Sequence, residues 1–155
     1  MKKIILVTTL LSIALLSNGT IEINAQTPNL KAQRNFFKKL KKMCGKTFEG
    51  ATEFPTNADH ALVGKKLLMK IGTCTNTEIR IPFWVGEDKS RTWIITLNDK
   101  ELLFKHDHRH ADGTPDRVTN YGGLASEGGT AREQRFAADA FTAGLIPEAK
   151  TNVWT

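Results

Sequence analysis

Residues 78–85 read EIRIPFWV and residues 91–97 read RTWIITL, and these two stretches decide the fold. In each of them apolar residues recur at every second position, as Ile79 and Ile81 do. Side chains of a β-strand point alternately to its two faces, so this period predicts strands with one apolar face. The connecting residues 86–90, GEDKS, have the composition of a hairpin turn, which predicts an antiparallel pair.

The same alternation extends outward on both sides of this pair. It covers residues 47–54 and 66–73 before the pair and residues 101–110 after it, and turn-forming residues lie between the segments. Successive hairpins with one apolar face predict a mainly β protein. We expect an antiparallel meander that forms either a small barrel or a strongly curved sheet.

A basic amphipathic helix is predicted before the strands, within residues 26–43. Asn29 is a suitable N-cap, and apolar residues such as Phe36 and Leu40 share one face at helical spacing. Lysines and one arginine occupy the rest of the helix surface. Two interpretations follow: the helix packs its apolar stripe on the domain and leaves its lysines in water, or residues 29–43 bind an anionic membrane surface.

A second helix is predicted near the C-terminus. Residues 130–133, TARE, match a capping box, in which the Thr and Glu side chains bond to free backbone amides, and Pro147 marks the end of the helix. The final residues 151–155 have the pattern of the first half of a strand. We therefore expect residues 44–155 to form a single β-rich domain that lacks its last strand.

Residues 1–25 have the pattern of a secretory signal peptide. Lys2 and Lys3 precede an apolar run at residues 4–16, and the small Ala25 suits a cleavage site. The apolar run is too short for a transmembrane helix. The sequence therefore predicts an exported protein, either periplasmic or extracellular.

The chain contains two cysteines, Cys44 and Cys74. In an exported protein two cysteines are expected to pair in a disulfide, because the compartment is oxidising. Two buried free thiols are the alternative.

The chain of 155 residues carries a formal net charge of +6. Much of the positive charge lies in residues 31–46, whereas the signs are mixed elsewhere. A nucleic-acid-binding domain shows a basic footprint over a whole binding face. We therefore expect no nucleic-acid partner.

Residues 101–110 read ELLFKHDHRH and contain three of the four histidines in the chain. His106, His108 and His110 have the same parity as the apolar residues that precede them. We therefore expect the three imidazoles to face inward at one end of a core strand. Two charged residues have the opposite parity and are expected to form surface pairs: Asp107 and Arg109.

Inward-facing imidazoles need partners, because an unbonded buried polar group costs about 1–3 kcal/mol. Three arrangements provide them. His106, His108 and His110 bind a divalent metal, with Zn²⁺ or Cu²⁺ as the candidates; or they anchor a small polar or amphipathic ligand in a barrel mouth; or they bond to Asp, Tyr or backbone groups of the protein itself. The sequence leaves all three open.

Three further residues complete the candidate ligand-binding set. Asp112 and Asp116 lie in the turn that follows the histidines, where they either cap the turn or supply a carboxylate to the imidazoles. Tyr121 lies on the returning segment, where it either packs in the core or donates its hydroxyl to the site.

The sequence has no motif of the common catalytic classes: it lacks Gly-x-Ser-x-Gly, His-Glu-x-x-His, a P-loop and the dinucleotide-binding glycine pattern. We therefore favour non-catalytic binding of a small polar or amphipathic ligand, with the histidines as polar anchors. The alternative is a metal-dependent enzyme or metal carrier that uses the three histidines.

The run HDHRHADGTPD at 106–116, followed by YGG at 121–123 and NVW at 152–154, resembles a family of uncharacterised bacterial secreted proteins. The resemblance covers about residues 44–155 and implies bacterial export and further strands, but no activity. A helix before a meander also resembles the lipocalin architecture, although GKT at 45–47 lacks the tryptophan expected there.

Overall fold

The computed structural model describes residues 30–54 and 58–155. The predicted signal peptide and the predicted helix cap Asn29 lie outside the described residues. Within the described part, no helix is long and apolar enough to cross a membrane.

The main element is a six-stranded sheet in which sequential neighbours pair antiparallel. The prediction of a mainly β protein built as an antiparallel meander is therefore confirmed. The strands, in order across the sheet, are β1 (Thr47–Gly50), β2 (Leu67–Lys70), β3 (Glu78–Val85), β4 (Asp88–Leu97), β5 (Leu102–His108) and β6 (Tyr121–Leu124).

The sheet stays open, so the predicted barrel is wrong. Strands β1 and β6 form its two edges, and each has only four residues. After β6 the chain adds no seventh strand to the sheet; it forms a separate two-stranded pair, β7 (Phe136–Ala137) with β8 (Val153–Trp154). The apolar face is thus covered by other elements instead of by closure of the sheet. A strongly curved open sheet stays a prediction.

The core lies between one face of the sheet and two covering elements. Ile79, Ile81, Ile95 and Leu102 are buried on this inner face. Helix α1 (Leu30–Lys41) packs on this face, with Phe37 only 2% exposed. Phe136 of β7 belongs to the same core cluster.

The predicted start of the second helix is wrong. Helix α2 spans Ala140–Leu145 and begins at the cap Asp139, whose side chain accepts from the backbone N–H of Thr142. At the predicted capping box, Thr130 Oγ1 accepts from the N–H groups of Arg132 and Glu133, yet only a turn forms. The following segment is extended because Phe136 enters the core as part of β7.

Cys44 and Cys74 form a disulfide, as predicted. The bond joins the segment after α1 to the connection between β2 and β3. It therefore ties the helix to the half of the sheet that contains β2 and β3. The histidine strand, β5, lies in the other half.

Candidate functional site

The candidate site is centred on β5, where two of the three histidines continue the inner face of the sheet. His106 lies directly opposite Trp93 of β4 on one side and Tyr121 of β6 on the other. Only 7% of its surface is exposed. His108 lies opposite Arg91 at the end of the strand and is half-buried.

Aromatic rings surround the imidazole of His106. The ring stacks on Tyr121 with 4.4 Å between centroids, and it meets Phe104 edge-on at 4.5 Å. Trp154 of β8 lies at 5.3 Å. These contacts fix the ring plane and remove most of its water.

The protonation state of His106 follows from these surroundings. Its Nδ1 lies 3.3 Å from the carbonyl oxygen of Tyr121, which only accepts, so Nδ1 carries the hydrogen. Burial is the main reason that the pKa of His106 falls to about 4, and the Tyr121 carbonyl opposes this effect only in part. At neutral pH the ring is therefore uncharged, with Nε2 as a hydrogen-bond acceptor.

His108 is bonded within the protein. Its Nε2 lies 3.0 Å from the hydroxyl oxygen of Tyr121, and the two groups form a hydrogen bond. Burial, and then the nearby charge of Arg91, lower the pKa of His108. Burial raises the pKa of Tyr121. Both groups are therefore neutral at pH 7, and each is the hydrogen-bond partner of the other.

Two glycines allow the backbone to close around this pair. Gly122 has a φ of 146°, which favours glycine, and both its N–H and its carbonyl bond to the hydroxyl of Thr142 at 2.8 Å. At Gly123 a Cβ atom would overlap the carbonyl oxygen of Ala137. Tyr121 therefore reaches the histidines from a strand that only glycines allow to pack so closely.

The third histidine does not join the other two. His110 lies beyond β5, is exposed, and uses its backbone N–H to bond to the carbonyl oxygen of Thr114. Because the chain turns at residues 111–114, the strand parity that predicted convergence ends before His110. The described residues contain no group of three or more His, Cys, Asp or Glu side chains that could hold a metal ion.

Asp112 and Asp116 cap turns. Asp112 Oδ1 accepts from the N–H of Thr114, and Asp116 Oδ1 accepts from the N–H of Val118. Bonds to the Thr114 hydroxyl and backbone lower the pKa of Asp112, and the Val118 N–H is the main reason that the pKa of Asp116 is lowered. Neither carboxylate is hydrogen-bonded to an imidazole in the described structure.

The prediction that Asp107 faces water is wrong. The residue is only 4% exposed, although its Oδ2 forms an ion pair with Nε of Arg109 at 2.9 Å. The segment before β6 crosses this end of the sheet, and the hydroxyl of Thr119 lies 3.3 Å from Asp107 Oδ1. The alternation along the strand predicts the correct face for Asp107. It does not predict the loop that covers this face.

An apolar pocket of about 250 Å³ opens beside His106. It lies between the inner face of the sheet, helix α1 and strands β7 and β8, and no charged side chain is among the described residues that line it. Its aromatic walls are formed by Phe36, Trp93, Phe104, His106, Phe136 and Trp154.

The sequence predicted only part of this wall. Trp93 and Phe104 have the inward parity of their strands, which is a readable signal. Phe136 and Trp154 belong to strands of two residues each, which are too short to show a period. They were therefore missed as site residues.

Comparisons of the chain with protein-family models, with curated proteins and with solved structures found no match. The candidate site must therefore be interpreted from its own geometry.

Proposed function

We propose that this chain is a binding module for a small, uncharged, mainly apolar ligand, held in the aromatic pocket with His106 as the polar anchor. The observation that carries the proposal is the combination of five aromatic side chains with one neutral imidazole in a pocket without charged side chains. Ligand pockets are typically apolar concavities with a few polar groups that fix orientation.

The size of the pocket limits the ligand. A protein cavity of about 150 Å³ is enough to bind benzene. A pocket of about 250 Å³ therefore suits a molecule of about two fused rings. The neutral His106 accepts a hydrogen bond, so a ligand with a hydroxyl or N–H donor is favoured over one without.

This proposal changes the expected ligand from a polar or amphipathic molecule to a mainly apolar one. Within the protein, His108 bonds to Tyr121, and His110 lies outside the pocket, so His106 is the anchor. We also propose export, which the Cys44–Cys74 disulfide supports because such bonds persist in oxidising compartments. The family resemblance contributes only bacterial export to this proposal.

The test compares two ligands that differ in one donor. We expect 1-naphthol to bind roughly tenfold more tightly than 1-methoxynaphthalene, as one hydrogen bond between neutral groups allows. Isothermal titration calorimetry at pH 7 measures both affinities. In His106→Phe the preference for the donor should disappear while the apolar contacts are kept.

A pair of tryptophan variants locates the binding. Leu40→Trp fills the pocket from helix α1 and should abolish binding. The matched control, Leu124→Trp, adds the same ring at an exposed position on the opposite face of the sheet and should bind like the original chain. Equal binding by the two variants, or no binding of either naphthalene by the original chain, would contradict the proposal.

A further inference from the structure

Helix α1 carries six cations and no acidic residue over Leu30–Lys41 and the residue that follows. Four of these cations are exposed lysines: Lys31, Lys38, Lys39 and Lys42. Lys31, Lys38 and Lys42 are separated by close to two helical turns and close to one, so they form one row along the outer side of the helix. We call these four lysines the basic face.

No carboxylate neutralises this face in the described part of the chain. Outside α1, five cations of the described chain form an ion pair with a carboxylate, and the others form none. Within the same described residues, none of the six cations of the helix forms one: Lys41 bonds to the amide of Asn76, and Arg34 bonds to the carbonyl oxygen of Asp99. Both partners are uncharged groups, so the positive charge of the helix is left uncompensated.

The helix cannot turn this face inward. Phe37 is buried in the core, and Gln33 accepts a hydrogen bond of 3.0 Å from the backbone N–H of Leu102. The disulfide at Cys44 fixes the chain just after the helix. The apolar stripe thus packs within the domain, and the basic face stays on the outer side of the helix.

We propose that the basic face docks this chain on an anionic lipid bilayer. Docking is by electrostatic adsorption, without insertion of α1, because its apolar side is already packed on the sheet. Lysine ammonium groups are compact point charges that suit the diffuse negative charge of lipid headgroups. Single-stranded nucleic acids are instead bound with exposed aromatic rings for base stacking, and the aromatic residues of α1 are packed against the core.

This proposal does not depend on ligand binding, although the two surfaces share one helix. Phe36 and Leu40 line the aromatic pocket from the inner side of α1. Adsorption through the basic face would therefore hold one wall of the pocket close to the bilayer, in which small apolar molecules dissolve.

The test measures co-sedimentation with vesicles of phosphatidylcholine alone and of phosphatidylcholine with about one third phosphatidylglycerol. The α1 variant carries Lys→Gln at residues 31, 38, 39 and 42. The matched control carries Lys→Gln at residues 65, 70, 100 and 150, which are also exposed, lie outside α1 and form no ion pair in the described structure. Residues 1–25 are the same in all three proteins, so the readout is the ratio of partition into anionic and neutral vesicles.

We expect the original chain and the control to favour anionic vesicles, and the α1 variant to lose roughly six hundredfold of this preference, at about fivefold for each of four lysines. High salt should remove the preference of the control as well. Thermal unfolding confirms that both variants fold, and 1-naphthol binding reports on the pocket separately. An equal loss in the two variants, equal binding to neutral vesicles, or tighter binding to single-stranded DNA than to anionic vesicles at the same salt would overturn the proposal.

Discussion

Burial and hydrogen bonding act on the same ring at His106. The Tyr121 carbonyl sets the tautomer, while the surrounding aromatic rings hold the pKa at about 4, compared with 6.5 for an ordinary histidine. The result is a neutral acceptor inside an apolar pocket. A tyrosine or lysine at this position would present a donor, and a carboxylate would present a charge.

The low pKa of His106 predicts a loss of stability in acid. The unfolded chain takes up a proton near pH 6.5, but the folded chain does so only near pH 4, so protonation favours unfolding as the pH falls through this window. The free energy of unfolding should fall by about 3 kcal/mol from this residue between pH 7 and pH 4. Urea unfolding at a series of pH values measures it.

His106→Phe is the matched variant, because it keeps a ring in the aromatic cluster and removes the titrating group. Its free energy of unfolding should depend less steeply on pH over the same window. Some slope should remain, because the pKa of His108 is also lowered. The same slope in both proteins would show that His106 does not titrate with the low pKa.

Helix α1 depends on a polar contact that its apolar pattern does not contain. Gln33 is 6% exposed, and its Oε1 accepts from the N–H of Leu102 at the start of β5. Gln33→Leu would leave that buried N–H without a partner, at a cost of about 1–3 kcal/mol. Chemical denaturation measures this loss. The control Asn35→Leu makes a comparable change at an exposed position of the same helix and should alter stability by less than about 0.5 kcal/mol.

The elements differ in how far the sequence predicts them. The alternation in β3, β4 and β5 spans seven to ten residues per strand, so their faces and antiparallel order were predictable. Strands β7 and β8 have two residues each and depend on contacts between Phe136 and the core, which no local pattern contains. The capping box at Thr130 failed for the same reason, because core packing of Phe136 outweighs the local preference for a helix.

The candidate site was predictable to the same extent as its strands. The alternation along β5 correctly predicted that His106 and His108 face inward. It does not apply to His110, which lies past the end of β5. The pocket itself is formed where α1 and β8 meet the sheet, so Phe36 and Trp154 become neighbours of His106 only in the folded chain. A periodic pattern in the sequence does not predict contacts of this kind.

At the scale of the whole molecule, the open sheet needs its covering elements, and α1 is one of them. It forms a wall of the pocket on one side and the basic face on the other. The disulfide attaches it covalently to the connection between β2 and β3. The integrity of both proposed surfaces should therefore depend on this bond.

Replacing both cysteines, as Cys44→Ser with Cys74→Ser, should lower the free energy of unfolding by about 3–4 kcal/mol, because the bond closes a loop across a sequence separation of 30. The loss of stability should be larger in α1 than in β4. Backbone amides of α1 should exchange with deuterium faster than those of β4, which pairs with strands on both sides and does not depend on the bond for its position. Hydrogen exchange followed by mass spectrometry separates the two regions. Equal acceleration in α1 and β4 would mean that the disulfide stabilises the domain as one unit, and that α1 is held by its packing on the sheet alone.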